Sequence, residues 1–247
     1  MKILRLSLRP TTAEAVMPLA SYRAGFHSFI KKAVQEYKPI LYRYHFETPI
    51  PRVKPYTFSV LFEKSTVEGD QIRFQSLYFR FVSIDPEFMV AVHNLAASLY
   101  RRNYQFGSTL LKLHALHYEP LRQVTTSPAR FRTLSPVLIR SHHNERHYLV
   151  PACENFDGDP EFAEALRFNV QQVTRALAPA FDASTLQLEP ERCYRTVIKY
   201  DKNGTILKFP GFRGTFLLRG SPPLLNFLAQ VGLGARRSQG FGMIIPA

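Results

Sequence analysis

The run Gly232-Leu233-Gly234-Ala235-Arg236-Arg237-Ser238-Gln239-Gly240-Phe241-Gly242 combines two kinds of residue that chemistry on a polyanion needs. Glycines such as Gly232, Gly234 and Gly240 permit positive φ and close backbone approach. Arg236, Arg237, Ser238 and Gln239 are residue types that hold phosphate. The run lies between a predicted helix and a predicted strand. A dinucleotide fingerprint or a Walker loop needs the reverse order, so both are excluded. A second constellation is a helical face on which Arg23, His27 and Lys31 recur every four residues. A histidine between two cations can exchange protons near neutral pH. That stripe suits a phosphate-facing role, or simply the solvated face of an amphipathic helix.

Other chemistries fare worse. His142-His143-Asn144-Glu145-Arg146-His147 falls in a predicted hairpin turn rather than a helix and fits no zinc-protease spacing. Asp157-Gly158-Asp159 has no third clustered carboxylate, which argues against a two-metal nuclease, and reads as a turn into a helix. The expectation is therefore no metal and no cofactor. Cys153 and Cys193 show no CxxC spacing and cannot build a disulfide scaffold, so they read as core or strand residues.

The chain has 247 residues, 45% of them hydrophobic, enough for one large domain or two small ones and too many for wholesale disorder. Lysine plus arginine is 32 against 19 acidic residues, a formal net charge of +13 that suggests a polyanionic partner. The N-terminus alternates leucine with arginine, unlike the apolar core of a signal peptide. No apolar stretch approaches the roughly 20 residues needed to cross a bilayer. A cytoplasmic address with no membrane partner is expected.

These residues need elements to position them. Leu4, Leu6 and Leu8 alternate as a strand, and Tyr22, Phe26, Phe29, Ile30, Ala33 and Tyr37 repeat as a helix that must stop before Pro39. Tyr56–Phe62 alternates again. Ile72 and Phe74 change phase to Leu77, Phe79 and Phe81, which predicts a β-bulge at Gln75–Ser76. Pro86 opens a second helix, and Leu111–Ala115 supplies a fourth strand. The order repeats in the second half: a strand over Thr133–Arg140 turning through Ser141–Arg146 into His147–Val150, and a helix capped by Asp159. Two strands follow, split by the turn Asp201-Lys202-Asn203-Gly204, then a helix from Ser221 and a strand at Met243–Ile245. This pattern predicts an α+β fold of tandem ferredoxin-like, RRM-like βαββαβ domains, spanning 1–122 and 123–247 with a linker in Tyr118–Ala129.

With those elements in place, GLGARRSQGFGM resembles the C-terminal glycine-rich motif of CRISPR-associated endoribonucleases that cut precursor CRISPR RNA, members of the repeat-associated RNA-binding superfamily. Phe131-Arg132-Thr133-Leu134-Ser135-Pro136-Val137 is similar to the strand that opens their second domain, and Lys54-Pro55-Tyr56-Thr57-Phe58-Ser59 to the second strand of their first. The resemblance implies a catalytic histidine near the first helix with a lysine and a tyrosine. Leu41–Glu47 matches the histidine region and puts that role on His45, and Lys54 falls on the lysine. The helix position often held by tyrosine is Lys31 here, so Tyr44, Tyr42 or Lys31 takes the third place, and His27 is the rival histidine.

Such a site cleaves RNA without a metal: histidine serves as acid or base, lysine stabilises the phosphorane, and the products are a 2′,3′-cyclic phosphate and a 5′-hydroxyl. The implied partners are CRISPR repeat RNA and other CRISPR effector subunits, with the chain a monomer or homodimer. RNA contacts are expected at Arg23, Lys31 and the glycine run. The alternatives are a non-catalytic RNA-binding subunit of an effector complex and an unrelated basic RNA-binding protein. Basic and aromatic residues also interleave at Arg73, Tyr78 and Arg80 and at Tyr194, Arg195, Lys199 and Tyr200, a pattern that packing explains as well as base stacking.

Overall fold

The computed structural model describes residues 1–144, 147–202 and 204–247. The first strand, β1 (Lys2–Pro10), buries Leu4, Leu6 and Leu8 on one face, as period-2 alternation requires. A short β2 (Ala15–Pro18) leads to α1 (Tyr22–Tyr37), which buries Tyr22, Phe26, Phe29, Ile30 and Ala33. Pro39 ends α1 and also opens α2 (Pro39–Tyr42), since proline is tolerated in a helix's first turn but not later. Arg43–Glu47 forms a π-helical turn before β3 (Tyr56–Glu63). There follow β4 (Thr66–Glu68), β5 (Gln71–Phe74), β6 (Ser76–Ser83), α3 (Pro86–Ser98), β7 (Asn103–Phe106) and β8 (Thr109–Pro120).

The main sheet of this half runs β3-β6-β1-β8-β7 with every neighbour antiparallel. The bulge expected at Gln75–Ser76 is instead a break between sheets. β5 joins a separate three-stranded sheet, β2-β5-β4, while β6 joins the main one. Each strand keeps its own alternation, so the phase change costs no apolar exposure.

The second half contains β9 (Ala129–Thr133), β10 (Ile139–Arg140), β11 (Tyr148–Leu149), α4 (Phe162–Leu177), β12 (Gln187–Lys202), β13 (Thr205–Arg219), α5 (Pro222–Val231) and β14 (Ile244–Pro246). Its sheet, β12-β13-β9-β14, repeats the order β3-β6-β1-β8 of the first, which carries β7 as an additional edge strand. The fold is α+β, with two ferredoxin-like βαββαβ arrangements in tandem.

Two expectations here need correcting. The opening strand ends at Thr133 rather than running on to Arg140, because the Leu134–Val137 segment turns its polar groups toward the C-terminal loop. Ser135 Oγ accepts from the Met243 N–H at 2.9 Å, and the Pro136 carbonyl accepts from the Gly242 N–H at 2.8 Å. Asp159 does not cap α4, whose N-cap is Glu161; its carboxylate accepts from the Val150 N–H at 2.7 Å. The predicted turns at Ser141–Arg146 and Asp201–Gly204 lie partly outside the described residues.

The two halves share packing. Tyr56, Thr57, Phe58 and Ser59 are all buried, because β3 is covered on both sides. The Tyr56 ring meets Phe88 of α3 at 5.1 Å, and Thr57 Oγ1 donates to the Phe241 carbonyl at 3.0 Å. Ile3 and Val82 from the first half join the core built on α4 and α5. Among the described residues no helix is long and apolar enough to cross a membrane.

Candidate active site and nucleic-acid interface

The glycine run is a packed wedge before it is anything else. After α5, the Leu233 N–H donates to the Gly242 carbonyl at 2.8 Å, and the Ala235 N–H to the Leu138 carbonyl at 2.7 Å. Gly234 has φ +83°, and a Cβ there would sit 2.3 Å from the Leu138 carbonyl oxygen. At Gly240, φ is +86° and a Cβ would sit 2.7 Å from the Phe58 ring. Both positions therefore require glycine for close approach as well as for backbone angle. The amides of Leu233, Ala235, Gln239, Gly240 and Gly242 all donate to carbonyls of the chain itself. The expectation that the loop offers its backbone as an open phosphate cradle is thereby reduced to a few side chains.

Those side chains divide sharply. Arg237 is 7% exposed, and its Nη1 donates to the Val231 carbonyl at 2.7 Å, closing the end of α5. Burial pushes its pKa down to about 10. Arg23 is also buried, its guanidinium 4.4 Å from the Tyr22 ring and 4.7 Å from the Phe241 ring. Arg23 and Arg237, both named above as RNA contacts, are turned inward and packed in this structure. Arg236 is half-buried and lies 4.6 Å over the Phe209 ring. Its Nε donates to Tyr148 Oη at 2.7 Å and its Nη1 to Gln239 Oε1 at 3.0 Å. A guanidinium has five N–H donors, so Arg236 keeps donors for a ligand. Ser238 and Gln239 stay half-buried beside it.

His27, Lys31 and Lys54 gather in the first half around one ring. Phe46, on the π-helical turn, has the His27 ring at 6.3 Å, Lys31 Nζ at 5.6 Å and Lys54 Nζ at 5.3 Å. Lys54 Nζ donates to the Arg52 carbonyl at 3.0 Å. Among the described residues no carboxylate pairs with this cluster, and the electrostatics follow. Burial, then the charges of Lys31 and Lys54, push His27 down to about 4. Burial, then Lys54, push His45 down to about 4 as well, with Asp85 opposing. Lys54 itself is held below the usual lysine range by burial and by Lys31. At neutral pH both histidines are uncharged bases beside a lysine that surrenders its proton more readily than usual.

His45 is 8% exposed. It packs edge-on to Phe88 at 5.1 Å and Tyr44 at 4.9 Å, and its buried Nδ1 has no hydrogen-bond partner. Tyr44 is 50% exposed; its hydroxyl accepts from Arg52 Nη1 at 2.9 Å. Tyr42 stacks on Phe46 at 5.3 Å.

Two cavities connect these groups. One, of about 520 Å³, is lined by Lys54, Arg140, Gly234, Arg236 and Ser238. The other, of about 640 Å³, is lined by Tyr44, His45, Pro55 and Asp85. Arg52 and Val53 line both. The structure thus brings Lys54 together with both histidines and with the exposed part of the glycine loop, and withdraws Arg23 and Arg237. Sequence reasoning missed Phe46, Arg52 and Arg140. Arg52 lies two residues before Lys54 in a basic stretch and could have been found; Phe46 carried no signal beyond being aromatic. The interleaved Tyr78 is occupied by packing, with Arg5 at 4.9 Å and Arg80 at 5.6 Å from its ring and both arginines paired with Glu119.

Comparisons with known proteins bear on the family and the fold. The family model described as "CRISPR associated protein Cas6, C-terminal" matches residues 119–245. Among solved structures, the chain is similar to a Cas6-related protein from Pyrococcus furiosus, at TM-score 0.82 and 18% identity, covering 100% of this chain and 98% of that one. It is similar to a RAMP protein described as binding different RNA substrates, at TM-score 0.78 and 16% identity, with 100% of each chain covered. A Cas6 product complex from Thermus thermophilus aligns at TM-score 0.67 and 18% identity, over 100% of this chain and 99% of that one. No curated protein sequence matches.

Proposed function

The chain belongs to the Cas6 family of CRISPR-associated proteins, and from that premise we propose that it cuts CRISPR repeat RNA by metal-independent acid–base chemistry at His45 and Lys54. The family processes CRISPR RNA as an endoribonuclease. The observation that carries the finer reading is the position of Lys54. It stands at the lip of the cleft formed with the glycine loop, and its charge is felt by both His45 and His27.

In this reading an RNA strand lies along the cleft with phosphates facing Arg52, Arg140 and Arg236. Uncharged His45 takes the proton from the 2′-hydroxyl adjoining the scissile phosphate. The 2′-oxygen bonds to phosphorus, and the Lys54 ammonium stabilises the extra negative charge of the phosphorane. The bond to the 5′-oxygen breaks, and that oxygen receives a proton from Lys54, whose lowered affinity for it favours the transfer. The products are a 2′,3′-cyclic phosphate and a 5′-hydroxyl. Tyr44 and Arg52 orient the strand at the His45 cavity; Lys31 and His27 add positive field and a reserve base. A binding-only subunit would have no use for a desolvated, unpartnered imidazole, which favours the enzyme.

We place the boundary between the two units at 122/123, and the chain acts as a monomer or homodimer in the cytoplasm, where other CRISPR effector subunits would be met. The test is single-turnover cleavage of a repeat RNA in excess EDTA. Cleavage at one position with cyclic-phosphate ends is expected. Activity abolished by EDTA, or 3′-hydroxyl products, would sink the reading.

A further inference from the structure

We propose that His142, His143 and Glu164 bind one divalent transition-metal ion of the Zn²⁺ kind, joining the loop after β10 to the first turn of α4. Their ligand atoms, one from each residue, all lie within 4.8 Å of one another. The His142 and His143 ring centroids are 3.8 Å apart. Two imidazoles and one carboxylate are a donor set that suits Zn²⁺ and leaves a fourth position for water or another oxygen.

The second observation concerns His142 itself. Both its ring nitrogens are buried, and neither makes a hydrogen bond, although Glu164 Oε1 lies 2.9 Å from Nε2. The carboxylate is near the nitrogen but off the axis along which an N–H could reach it. Two ligands about 2.0–2.2 Å from a shared ion stand in that relation, because their lone pairs converge on the ion and not on each other. A buried imidazole with two orphaned nitrogens is otherwise costly. His142 also packs on Phe168 at 5.5 Å, which fixes its ring but satisfies neither nitrogen.

The site shares no residue with the His45 cavity. His142 does line the neighbouring cleft with Arg140 and Arg236, so the ion would brace that cleft's wall and add to its positive charge. The cleavage step does not pass through it. The motif was discounted in the sequence because its histidines do not recur on a helix; the third ligand comes from α4, a separate element that spacing could not reveal.

The test is isothermal titration of ZnCl₂ into the untagged full chain, stripped with EDTA and dialysed. One ion per chain is expected, with X-ray absorption giving a nitrogen and oxygen shell at about 2.0–2.1 Å and no sulfur. His143→Ala and Glu164→Gln, both at exposed positions, should each weaken binding by more than the roughly 10²-fold that losing a group hydrogen-bonded to a ligand costs at most. No uptake near one equivalent, uptake unchanged in both variants, or a sulfur ligand would overturn the proposal.

Discussion

Two cationic regions meet at the same cleft, and they treat charge in opposite ways. In the glycine loop, the buried arginine is satisfied: Arg237 spends its guanidinium on the Val231 carbonyl, and five loop amides are spent on carbonyls. Around Phe46, positive charge is left uncompensated: among the described residues no carboxylate joins His27, Lys31 and Lys54 at the ring, and His45 keeps a buried nitrogen without a partner. The loop is built to hold its own shape. The cluster is built with protons in play, because burial and like charge are what move histidine and lysine away from their ordinary pKa values.

The largest expected consequence of that contrast is acid sensitivity. His27 and His45 sit at about 4 in the folded protein, against about 6.5 when unfolded. Between those values the unfolded chain binds more protons, so stability rises with pH across the window. It is fully present above about 6.5, is lost as pH falls, and the loss is complete below about 4. For each histidine the loss is roughly 3 kcal/mol at most. Urea unfolding of wild type and His45→Phe at pH 7 and pH 5 measures it: the variant should lose less stability on acidification. Equal losses would remove the desolvation argument.

A smaller effect separates the two arginines of the loop. Arg237→Ala removes a buried side chain and orphans the Val231 carbonyl, which should cost about 1–3 kcal/mol. Arg236→Ala should cost less stability than Arg237→Ala and should flatten the slope of log K against log salt for RNA by about 1. The reverse assignment, with Arg237 setting the salt slope, would show that the loop presents the other guanidinium to RNA.

Much of the fold was legible because its signals are local. The leucine alternation of β1 and the α1 stripe from Tyr22 to Ala33 have one period each and one face to bury. The break at Gln75 was harder, since a bulge and a change of sheet leave the same phase shift in the sequence. In the glycine loop, close packing and phosphate binding use the same residue types, so the sequence could not tell Arg236 from Arg237; the fold buries Arg237 and leaves Arg236 half-buried. Lys54 was singled out by its motif, whereas its proximity to His27 depends on a helix and the segment before β3 brought together around Phe46. Glu164 lay beyond any spacing rule for the same reason.

The central claim is that His45 performs the proton transfer, and one comparison bears on it most directly. Single-turnover cleavage of repeat RNA should be measured with enzyme in excess and EDTA present for His45→Ala and His27→Ala, alongside RNA affinity. The account predicts a loss of roughly 10²-fold or more in the His45→Ala rate, the scale of a general acid–base group, with affinity retained and His27→Ala affected far less. A His45→Ala enzyme that cuts at the wild-type rate while His27→Ala is inactive would contradict it.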